Sequence, residues 1–274
     1  MPIIIGKTIF DFTRPYLVGV VNITPDSFSD GGKYFNPSDA LVQIEKCINE
    51  GADIIEVGAE SSRPGAEKIT VEEEIGRLSK VLEKYHSYFS TPLSLDTYKI
   101  DVAEFGLSMG ADMINHIYGA TIQHEMLAII KKYDAAVCLM HMQNTPQTMQ
   151  HNPEYKNIVE DIKSELLGAI NLAQANNINK IIIDPGIGFG KKLEHNLTIL
   201  KNLESFSSLG CPLMIGTSKK SFIGKITNEE VGQRLEGTIS SNILAFLQGA
   251  NFFRVHDVGA VKKALEMVLA IQNA

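Results

Sequence analysis

The sequence contains few cysteines, and their placement argues against two kinds of stabilising site. Cys47, Cys138 and Cys211 are odd in number, lie far apart and form no CxxC pair. Disulfide frameworks and structural zinc sites need an even set of cysteines or closely spaced pairs. We therefore expect all three to be small core residues.

Long apolar runs and excess positive charge are also missing. No apolar stretch approaches the roughly 20 residues of a membrane span, and the stretch at the start is too short for a signal peptide because Lys7 and Asp11 interrupt it. The formal net charge of −7 gives no general attraction for nucleic acid or an anionic membrane surface. We expect a cytoplasmic protein with no nucleic-acid or membrane partner.

What is present is the composition of an average globular protein. With 44% hydrophobic and 21% charged residues, the chain differs from disordered, collagen-like and coiled-coil sequences. Its 274 residues fit either one domain or two small ones. Length alone therefore does not decide between one domain and two.

Two patterns alternate along the chain. Short runs rich in Val, Ile and Leu precede stretches with apolar residues three and four apart, which is typical of alternating strands and helices. The runs predict eight strands, at residues 16–21, 53–57, 92–95, 112–114, 135–140, 180–183, 212–215 and 251–255. The 274 residues give about 34 per strand, close to the roughly 250-residue total of a (β/α)₈ barrel.

The helix boundaries are indicated at several places. Leu41, Ile44 and Ile48 form one helical stripe, which Gly51 follows as a C-cap. Thr70 and Glu73 have the spacing of a capping box before the next stripe. Further stripes predict helices through residues 154–175, 229–248 and 258–271.

The strand ends favour a barrel over a doubly wound open sheet, in which helices also separate parallel strands. Almost every predicted strand stops at a polar residue: Asn22, Glu56, Asp96, Asn115, His141, Asp184, Ser218 and His256. In a barrel these positions meet at one mouth, whereas an open sheet binds ligands at its switch point. We predict a single (β/α)₈ TIM-barrel domain over residues 1–274, with residues 3–12 as a hairpin or plug at the bottom.

Two long polar loops follow the first two strands. One runs from Asn22 through Asp26 to Gly32, and the other places Arg63 and two hydroxyls beside a Pro-Gly turn suited to an oxyanion. The βα loops that only connect a strand to a helix are usually much shorter. We therefore expect both loops to act above the mouth.

The other polar groups of the mouth suit a heterocycle that carries a phosphate. Asp96, Asn115 and Asp184 offer acceptors beside Lys220, and Arg254 adds a cation. Three other kinds of site are disfavoured. The glycines at 186–190 lack dinucleotide spacing, the run 216–221 lacks the leading glycines of a P-loop, and the histidines form no H-x-H or H-E-x-x-H pair of a zinc site.

Seven segments together resemble the dihydropteroate synthase family, whose members join 6-hydroxymethyl-7,8-dihydropterin pyrophosphate to p-aminobenzoate. The segments occur in order over nearly the whole chain, at residues 20–32, 60–66, 94–97, 140–143, 184–191, 218–221 and 254–258. The run N-I-T-P-D-S-F-S-D-G-G is highly specific, and D-P-G-I-G-F-G-K supports it independently. The resemblance implies a TIM barrel, a homodimer, and a folate-biosynthesis transferase that is the target of sulfonamides.

The resemblance also implies roles for particular residues. Those that would bind the pterin are Asp96, Asn115, Met140, Asp184 and Lys220, of which all but Met140 would also be catalytic. Those that would hold the pyrophosphate are Asn22, Ser62, Arg63, Arg254 and His256. The p-aminobenzoate pocket would be formed by Pro64, Phe189, Lys220 and Ser221, and the ligands of a Mg²⁺ ion would be Asn22 and Asp26.

The chemistry implied by this family is SN1-like. Cleavage between the pterin methylene and the pyrophosphate leaves a pterin cation and an anionic leaving group. Carboxylates stabilise the cation, and Mg²⁺ with basic side chains stabilises the leaving group. The aryl amine of p-aminobenzoate is neutral at pH 7 and attacks without a strong base. The sequence accordingly needs no nucleophile–base pair.

Four positions depart from the usual residues of the family, which has Gly at Ala59, Thr at Ser62, Asp at His116 and Arg at Lys219. We expect His116 to bond to a neighbouring loop. Two other functions stay open. A methyltetrahydrofolate:corrinoid methyltransferase shares the barrel and pterin site but needs no pyrophosphate loops, and a non-catalytic pterin-binding paralog would be expected to lose residues from them.

Overall fold

The chain begins with an antiparallel hairpin of two strands, β1 (Ile3–Ile5) and β2 (Thr8–Phe10). The structure is a computed structural model, and it describes residues 2–24, 37–61 and 65–274. Alternate hairpin residues point inward: Ile3, Ile5 and Phe10 are buried, whereas Ile4 and Ile9 are exposed. This period of two gives the hairpin one apolar face.

Eight parallel strands follow and form the centre of the molecule. They are β3 (Tyr16–Asn22), β4 (Ile54–Gly58), β5 (Leu93–Asp96), β6 (Met113–His116), β7 (Ala136–Met140), β8 (Ile181–Asp184), β9 (Met214–Ile215) and β10 (Phe252–Val255). Strands β3 to β8 pair in chain order, and β10 pairs with both β3 and β9. A bridge from Ile183 to Leu213 joins β8 to the residue before β9 and so closes the ring. The predicted barrel is confirmed.

Each predicted strand overlaps an observed one because its apolar run is buried on both faces. Strand β4, for example, has no exposed residue along Ile54–Gly58. Outward-facing Ile55 and Val57 join the core beneath the helices, whereas inward-facing Ile54 joins the core inside the ring. Such two-sided burial is why parallel strands show continuous apolar runs.

Helices cover the outside of the ring. In the described ranges they are α1 (Pro37–Asn49), α2 (Val71–Tyr88), α3 (Ile100–Ser108), α4 (His124–Lys132), α5 (Ile158–Ala175), α6 (Leu193–Lys201), α7 (Ser221–Thr227), α8 (Leu235–Leu247) and α9 (Val258–Gln272). Thr70 caps α2 as predicted, since its hydroxyl accepts from the amide of Glu73 at 3.2 Å. None of these helices combines the length and apolar character needed to cross a membrane.

Two helices begin later than the sequence pattern predicts. Helix α5 begins at Ile158 because the side chain of Asn157 accepts from the amide of Glu160 at 3.4 Å and caps the first turn. Helix α8 begins at Leu235, after a separate 3₁₀ turn over Val231–Gln233. Apolar spacing continued across both interruptions, so periodicity alone could not locate them.

The hairpin closes one end of the barrel. Phe10 contacts Tyr16 and Phe252 at ring-centroid distances of 4.9 and 5.4 Å. Both partners lie at the first residues of their strands. The predicted plug is therefore at the amino ends of the strands, and the carboxyl ends form the mouth, the face where barrel enzymes place their active sites.

The cysteines follow the expectation in two of three cases. Cys47 and Cys138 are buried, and Cys211 is only half-buried against the outer core.

Candidate active site at the barrel mouth

The carboxyl ends of neighbouring strands bring the predicted pterin residues together. Register places Asp96 beside Asn115, and Met140 beside Asp184. Asn115 Nδ2 donates to Asp96 Oδ1 at 3.3 Å, and Asp184 Oδ1 accepts from the amide of Gly186 at 2.7 Å. Because a parallel sheet aligns its strand ends, residues distant in sequence form one polar layer.

Arg254 and Glu56 form an ion pair inside the mouth. Arg254 Nη1 lies 3.6 Å from Glu56 Oε1, and the two side chains are 10% and 1% exposed. Burial raises the pKa of Glu56, and the charge of Arg254 opposes the rise. Burial disfavours the charged guanidinium, but attraction from Glu56 and Asp96 outweighs it and raises the pKa of Arg254. The guanidinium therefore keeps its charge.

The sequence pattern marks Glu56 only as a polar residue at a strand end and gives it no role in the site. The available signal was a lone acid at the centre of Ile54–Gly58, an otherwise apolar strand with both faces buried. An ionisable group at such a position needs a partner, and the partner is Arg254 from β10.

Several buried polar atoms of the mouth have no hydrogen-bond partner among the described residues. They are Glu56 Oε2, Ser94 Oγ, Asn115 Oδ1 and Arg254 Nη1. Buried polar groups are normally bonded, and each unpaired one costs about 1–3 kcal/mol. Acceptors and a cationic donor thus face the same interior and are available to a polar ligand.

The charges of Asp96 and Lys220 are shifted toward neutrality. Burial raises the pKa of Asp96 to about 6, although Arg254 and Asn115 oppose the rise. Burial, assisted by repulsion from Arg254, lowers the pKa of Lys220 to about 7, with Asp184 opposing. Perturbed groups of both signs in one cleft are typical of functional sites.

Phe189, Lys220 and Met140 lie together at one side of the mouth. The ammonium of Lys220 donates to the carbonyl of Ile187 and lies 4.5 Å from the centroid of the Phe189 ring. Phe189 and Met140 belong to one small buried apolar cluster. The next residue after Lys220, Ser221, begins α7 and is exposed. A planar ring could therefore meet an aromatic face, a cation and a hydroxyl here.

The remaining predicted residues are divided between the mouth and the undescribed segments. His256 follows β10, with its Nδ1 3.0 Å from Ser218 Oγ, and Asn22 ends β3 with its side chain partly exposed. The predicted roles of Asp26, Ser62, Arg63 and Pro64 fall outside the described residues.

Two departures from the family pattern have defined surroundings. Lys219 pairs with Asp257 at 2.9 Å, and its φ of 57° lies in the left-handed region. His116 is buried, and its Nδ1 has no hydrogen-bond partner among the described residues, so the expected bond to a loop is not made by this nitrogen. Burial lowers the pKa of His116 to about 4, which keeps the ring neutral.

Metal-binding side chains do not cluster in the part of the chain that the structure describes. No group of three or more His, Cys, Asp or Glu residues within it is arranged to hold a metal ion. The amide oxygen of Asn22 is a ligand type that Mg²⁺ accepts, and Mg²⁺ commonly takes one or two protein ligands together with substrate phosphates and water.

The chain is similar to known proteins over almost its whole length. Residues 18–256 match the family model described as pterin binding enzyme. The dihydropteroate synthase of Clostridium beijerinckii is 43% identical over 257 residues, which cover 93% of each chain.

Solved structures give the same result. A Yersinia pestis dihydropteroate synthase in a sulfonamide drug complex is 38% identical, with a TM-score of 0.94 and complete coverage of both chains. A Xanthomonas albilineans dihydropteroate synthase with 4-aminobenzoic acid is 36% identical, with a TM-score of 0.92 and coverage of 100% and 98%. The barrel, its polar mouth and these similarities together show that the chain belongs to the pterin-binding enzyme family, among the dihydropteroate synthases.

Proposed function

We propose that this chain condenses 6-hydroxymethyl-7,8-dihydropterin pyrophosphate with p-aminobenzoate, forming 7,8-dihydropteroate and releasing pyrophosphate. The observation that carries the proposal is a set of buried atoms in the mouth that have no hydrogen-bond partner among the described residues: the acceptors Asn115 Oδ1 and Glu56 Oε2 and the cationic donor Arg254 Nη1. A pterin offers N–H groups and a carbonyl in one plane, which match such a set. The similarity to dihydropteroate synthases supports the same reaction.

The pterin is held by polar groups at its edge and by packing against its face. Asp96, Asn115 and Asp184 accept from its nitrogens, and Lys220 donates to it. Met140, fully buried in the apolar cluster, packs against the ring. The carboxylates do more than bind, because their negative charge stabilises the cation that forms at the pterin methylene.

The pyrophosphate is held by the cationic side of the mouth. Arg254 and His256 lie near each other at the end of β10, and Asn22 ends the adjacent strand β3. Ser62 and Arg63 complete this group by their place in the family motif. Arg254 remains charged because Glu56 and Asp96 stabilise it, so it meets the growing negative charge of the leaving group.

Asn22 and Asp26 are the residues of this chain that would hold a Mg²⁺ ion. When bound, Mg²⁺ neutralises charge on the phosphate oxygens. The single amide of Asn22 suits an ion that takes most of its other ligands from substrate and water.

The reaction follows an SN1-like order. The C–O bond breaks and its electron pair leaves with the pyrophosphate, so positive charge stays on the pterin methylene near Asp96 and Asp184. The neutral aryl amine of p-aminobenzoate then forms the C–N bond and releases one proton to solvent. Pro64, Phe189, Lys220 and Ser221 orient that amine, and the same pocket accepts sulfonamides.

The decisive experiment supplies the purified protein with both substrates and Mg²⁺ and measures pyrophosphate and dihydropteroate. One pyrophosphate per dihydropteroate is the expected stoichiometry. Pterin binding without turnover would instead indicate a non-catalytic paralog, and methyl transfer from methyltetrahydrofolate to a corrinoid would indicate the other enzyme class.

Arg254→Ala tests the assignment of the leaving-group side. We expect kcat/KM for the pterin pyrophosphate to fall at least about 100-fold, because a buried cation that meets developing charge is lost. Binding of free pteroate, which carries no phosphate, should weaken much less. Equal losses for both ligands would show that Arg254 does not act on the pyrophosphate.

We further propose that the protein is one cytoplasmic domain that forms a homodimer through α7, α8 and α9. Large apolar side chains are exposed in this region: Ile226, Val231, Leu244, Leu247, Met267 and Ile271. Light scattering should give twice the 30.1 kDa mass of the chain, and Leu247→Glu should shift it toward the monomer. A monomeric mass for the unaltered protein would contradict the dimer.

A further inference from the structure

The loop that follows β8 is held by side chains along four successive carbonyl groups. The carbonyls of residues 187–190 accept, in order, from Lys220 Nζ, Gln150 Nε2 at 2.8 Å, Lys191 Nζ at 2.9 Å and the hydroxyl of Tyr155 at 2.8 Å. Gln150 and Tyr155 lie in the connection after β7, Lys220 lies in the connection after β9, and Lys191 lies at the loop's own end. A surface loop normally leaves such carbonyls to water, so this one is built to keep one conformation.

The glycines of the loop explain why its backbone needs this support. Gly186, Gly188 and Gly190 have φ values of 70°, 85° and 60°, a left-handed conformation that suits glycine. Alternating glycines also give the unfolded chain more conformations than other residues would. The side-chain bonds counter that freedom and fix the intervening Phe189.

Lys191 is the most enclosed of the four donors. The residue is 3% exposed, and its ammonium also lies 3.0 Å from His141 Nδ1 and 3.3 Å from the carbonyl of His141. With the carbonyl of Phe189, these contacts give all three ammonium protons an acceptor. Lys191 therefore ties the loop after β8 to the end of β7.

The contact with His141 continues to a helix on the outside of the barrel. Since the ammonium of Lys191 can only donate, Nδ1 of His141 accepts and its Nε2 carries the proton. Nε2 lies 3.4 Å from a carboxylate oxygen of Glu165 on α5. Burial and the charge of Lys191 both lower the pKa of His141, which keeps the ring neutral and able to accept.

The contacts of Lys191 place its ammonium against the loop that carries Phe189. Burial also lowers the pKa of Lys191 to about 7, although the charge of Asp184 opposes the change, so its acceptors are needed to retain the proton. The proposed reaction uses Phe189 and Lys220 but not Lys191, which donates to the carbonyl of Phe189.

We propose that Lys191, supported by His141 and Glu165, is a positioning residue that holds the loop of residues 187–190 as the wall of the p-aminobenzoate pocket. The proposal rests on the proposed function for the identity of the substrate. Lys191 itself contacts neither substrate. It acts by fixing Phe189, whose carbonyl accepts from the Lys191 ammonium and whose ring faces the p-aminobenzoate pocket.

The test uses Lys191→Met, which keeps the side-chain length and removes the donors. We expect the KM for p-aminobenzoate to rise about tenfold while the KM for the pterin pyrophosphate changes by less than about twofold. A purely structural role would instead reduce the amount of active protein and lower kcat without separating the two KM values. Equal or absent changes in KM would overturn the proposal.

Two further variants keep the test decisive. Lys192→Met alters the exposed neighbouring lysine and should leave both KM values unchanged. Glu165→Ala changes a half-exposed residue on α5, and it should raise the KM for p-aminobenzoate about threefold. If Lys191→Met does not fold, an unchanged KM in Glu165→Ala overturns the proposal.

Hydrogen exchange separates this inference from the proposed reaction. Without substrates, the amides of residues 186–191 should exchange faster in Lys191→Met than in the unaltered protein and in Lys192→Met. Unchanged exchange in this peptide would overturn the positioning role whatever the enzyme activity. Absence of dihydropteroate formation by the unaltered protein would overturn the proposed function alone.

Discussion

Asp96 combines partial exposure at the mouth with a pKa raised by burial to about 6. Its surroundings explain the value, since Arg254 and Asn115 favour the carboxylate while the nearby acids Glu74 and Glu60 disfavour it. The carboxylate form is the one that stabilises a pterin cation. The carboxylate form of Asp96 predominates at neutral pH, and the protonated form replaces it below about pH 6.

We therefore expect kcat to decrease as the pH falls through about 6, because protonation of Asp96 removes negative charge beside the reacting carbon. Asp96→Asn should lower kcat about 100-fold at pH 7.5 and flatten this acidic limb. The measurement is a pH profile of kcat for both proteins. An unchanged acidic limb in Asp96→Asn would assign the titration to another group.

His116 links pH to stability. The ordinary pKa of 6.5 applies to the unfolded chain, whereas burial lowers the pKa in the folded protein to about 4. Between these values only the unfolded state takes up the proton, so the free energy of unfolding falls as the pH decreases from about 6.5 to 4. At about 1.4 kcal/mol per pH unit, the loss approaches roughly 3 kcal/mol.

Urea unfolding at pH 7 and pH 4.5 measures this loss. We expect His116→Asn to be less sensitive to the pH change than the unaltered protein, by about 2 kcal/mol. His124→Asn, at an exposed position on α4, is the matched control and should behave like the unaltered protein. Equal pH sensitivity in all three would show that His116 is not the group responsible.

At the scale of elements, the ends of α2 and α3 are joined by one lysine. Lys99 Nζ donates at 2.7 Å to Glu60, to Glu74 and to the carbonyl of Ile69. Glu60 in turn accepts from the hydroxyl of Tyr98 at 2.7 Å. A single ammonium thus supports two carboxylates, one of them almost fully buried, between β4 and α2.

Lys99→Met should lower the free energy of unfolding by about 3–5 kcal/mol, because two carboxylates lose their counter-charge in a mostly buried position. Lys132→Met removes a pair with Glu104 that is largely exposed, and should cost less than about 1 kcal/mol. Adding Glu74→Gln to Lys99→Met should recover part of the loss. Similar losses for Lys99→Met and Lys132→Met in urea unfolding would contradict this account.

At the scale of the whole molecule, the two ends of the barrel have different tasks. The hairpin fills the amino end with apolar side chains, while the carboxyl end carries buried polar atoms that have no hydrogen-bond partner in the described ranges, such as Asn115 Oδ1 and Glu56 Oε2. Stability and function are separated along the barrel axis, as the barrel architecture permits.

Phe10→Ala tests this separation. Phe10 is fully buried against Tyr16 and Phe252, so its truncation should cost about 3–5 kcal/mol of unfolding free energy. The kcat per folded molecule should stay unchanged at temperatures where the variant is folded. Ile9→Ala, at a 63% exposed hairpin position, should leave both quantities nearly unaltered. A large loss of kcat in folded Phe10→Ala would contradict the separation.

Much of the fold was predictable because its signals are local. Buried parallel strands need continuous apolar runs, and these located all eight strands of the ring. The capping role of Thr70 was likewise predictable from the spacing of Thr70 and Glu73 alone. The starts of α5 and α8 were missed because apolar spacing crosses a capped break and a 3₁₀ turn without changing.

The sequence by itself determined the barrel, its plug and the kinds of polar residue at the mouth, because each depends on neighbours along the chain. Only the tertiary structure decided which of these residues meet. The pairing of Glu56 with Arg254 and the contact of Lys191 with His141 join residues about 200 and 50 positions apart. Their charges depend on burial, which is a property of the closed ring and of no single segment.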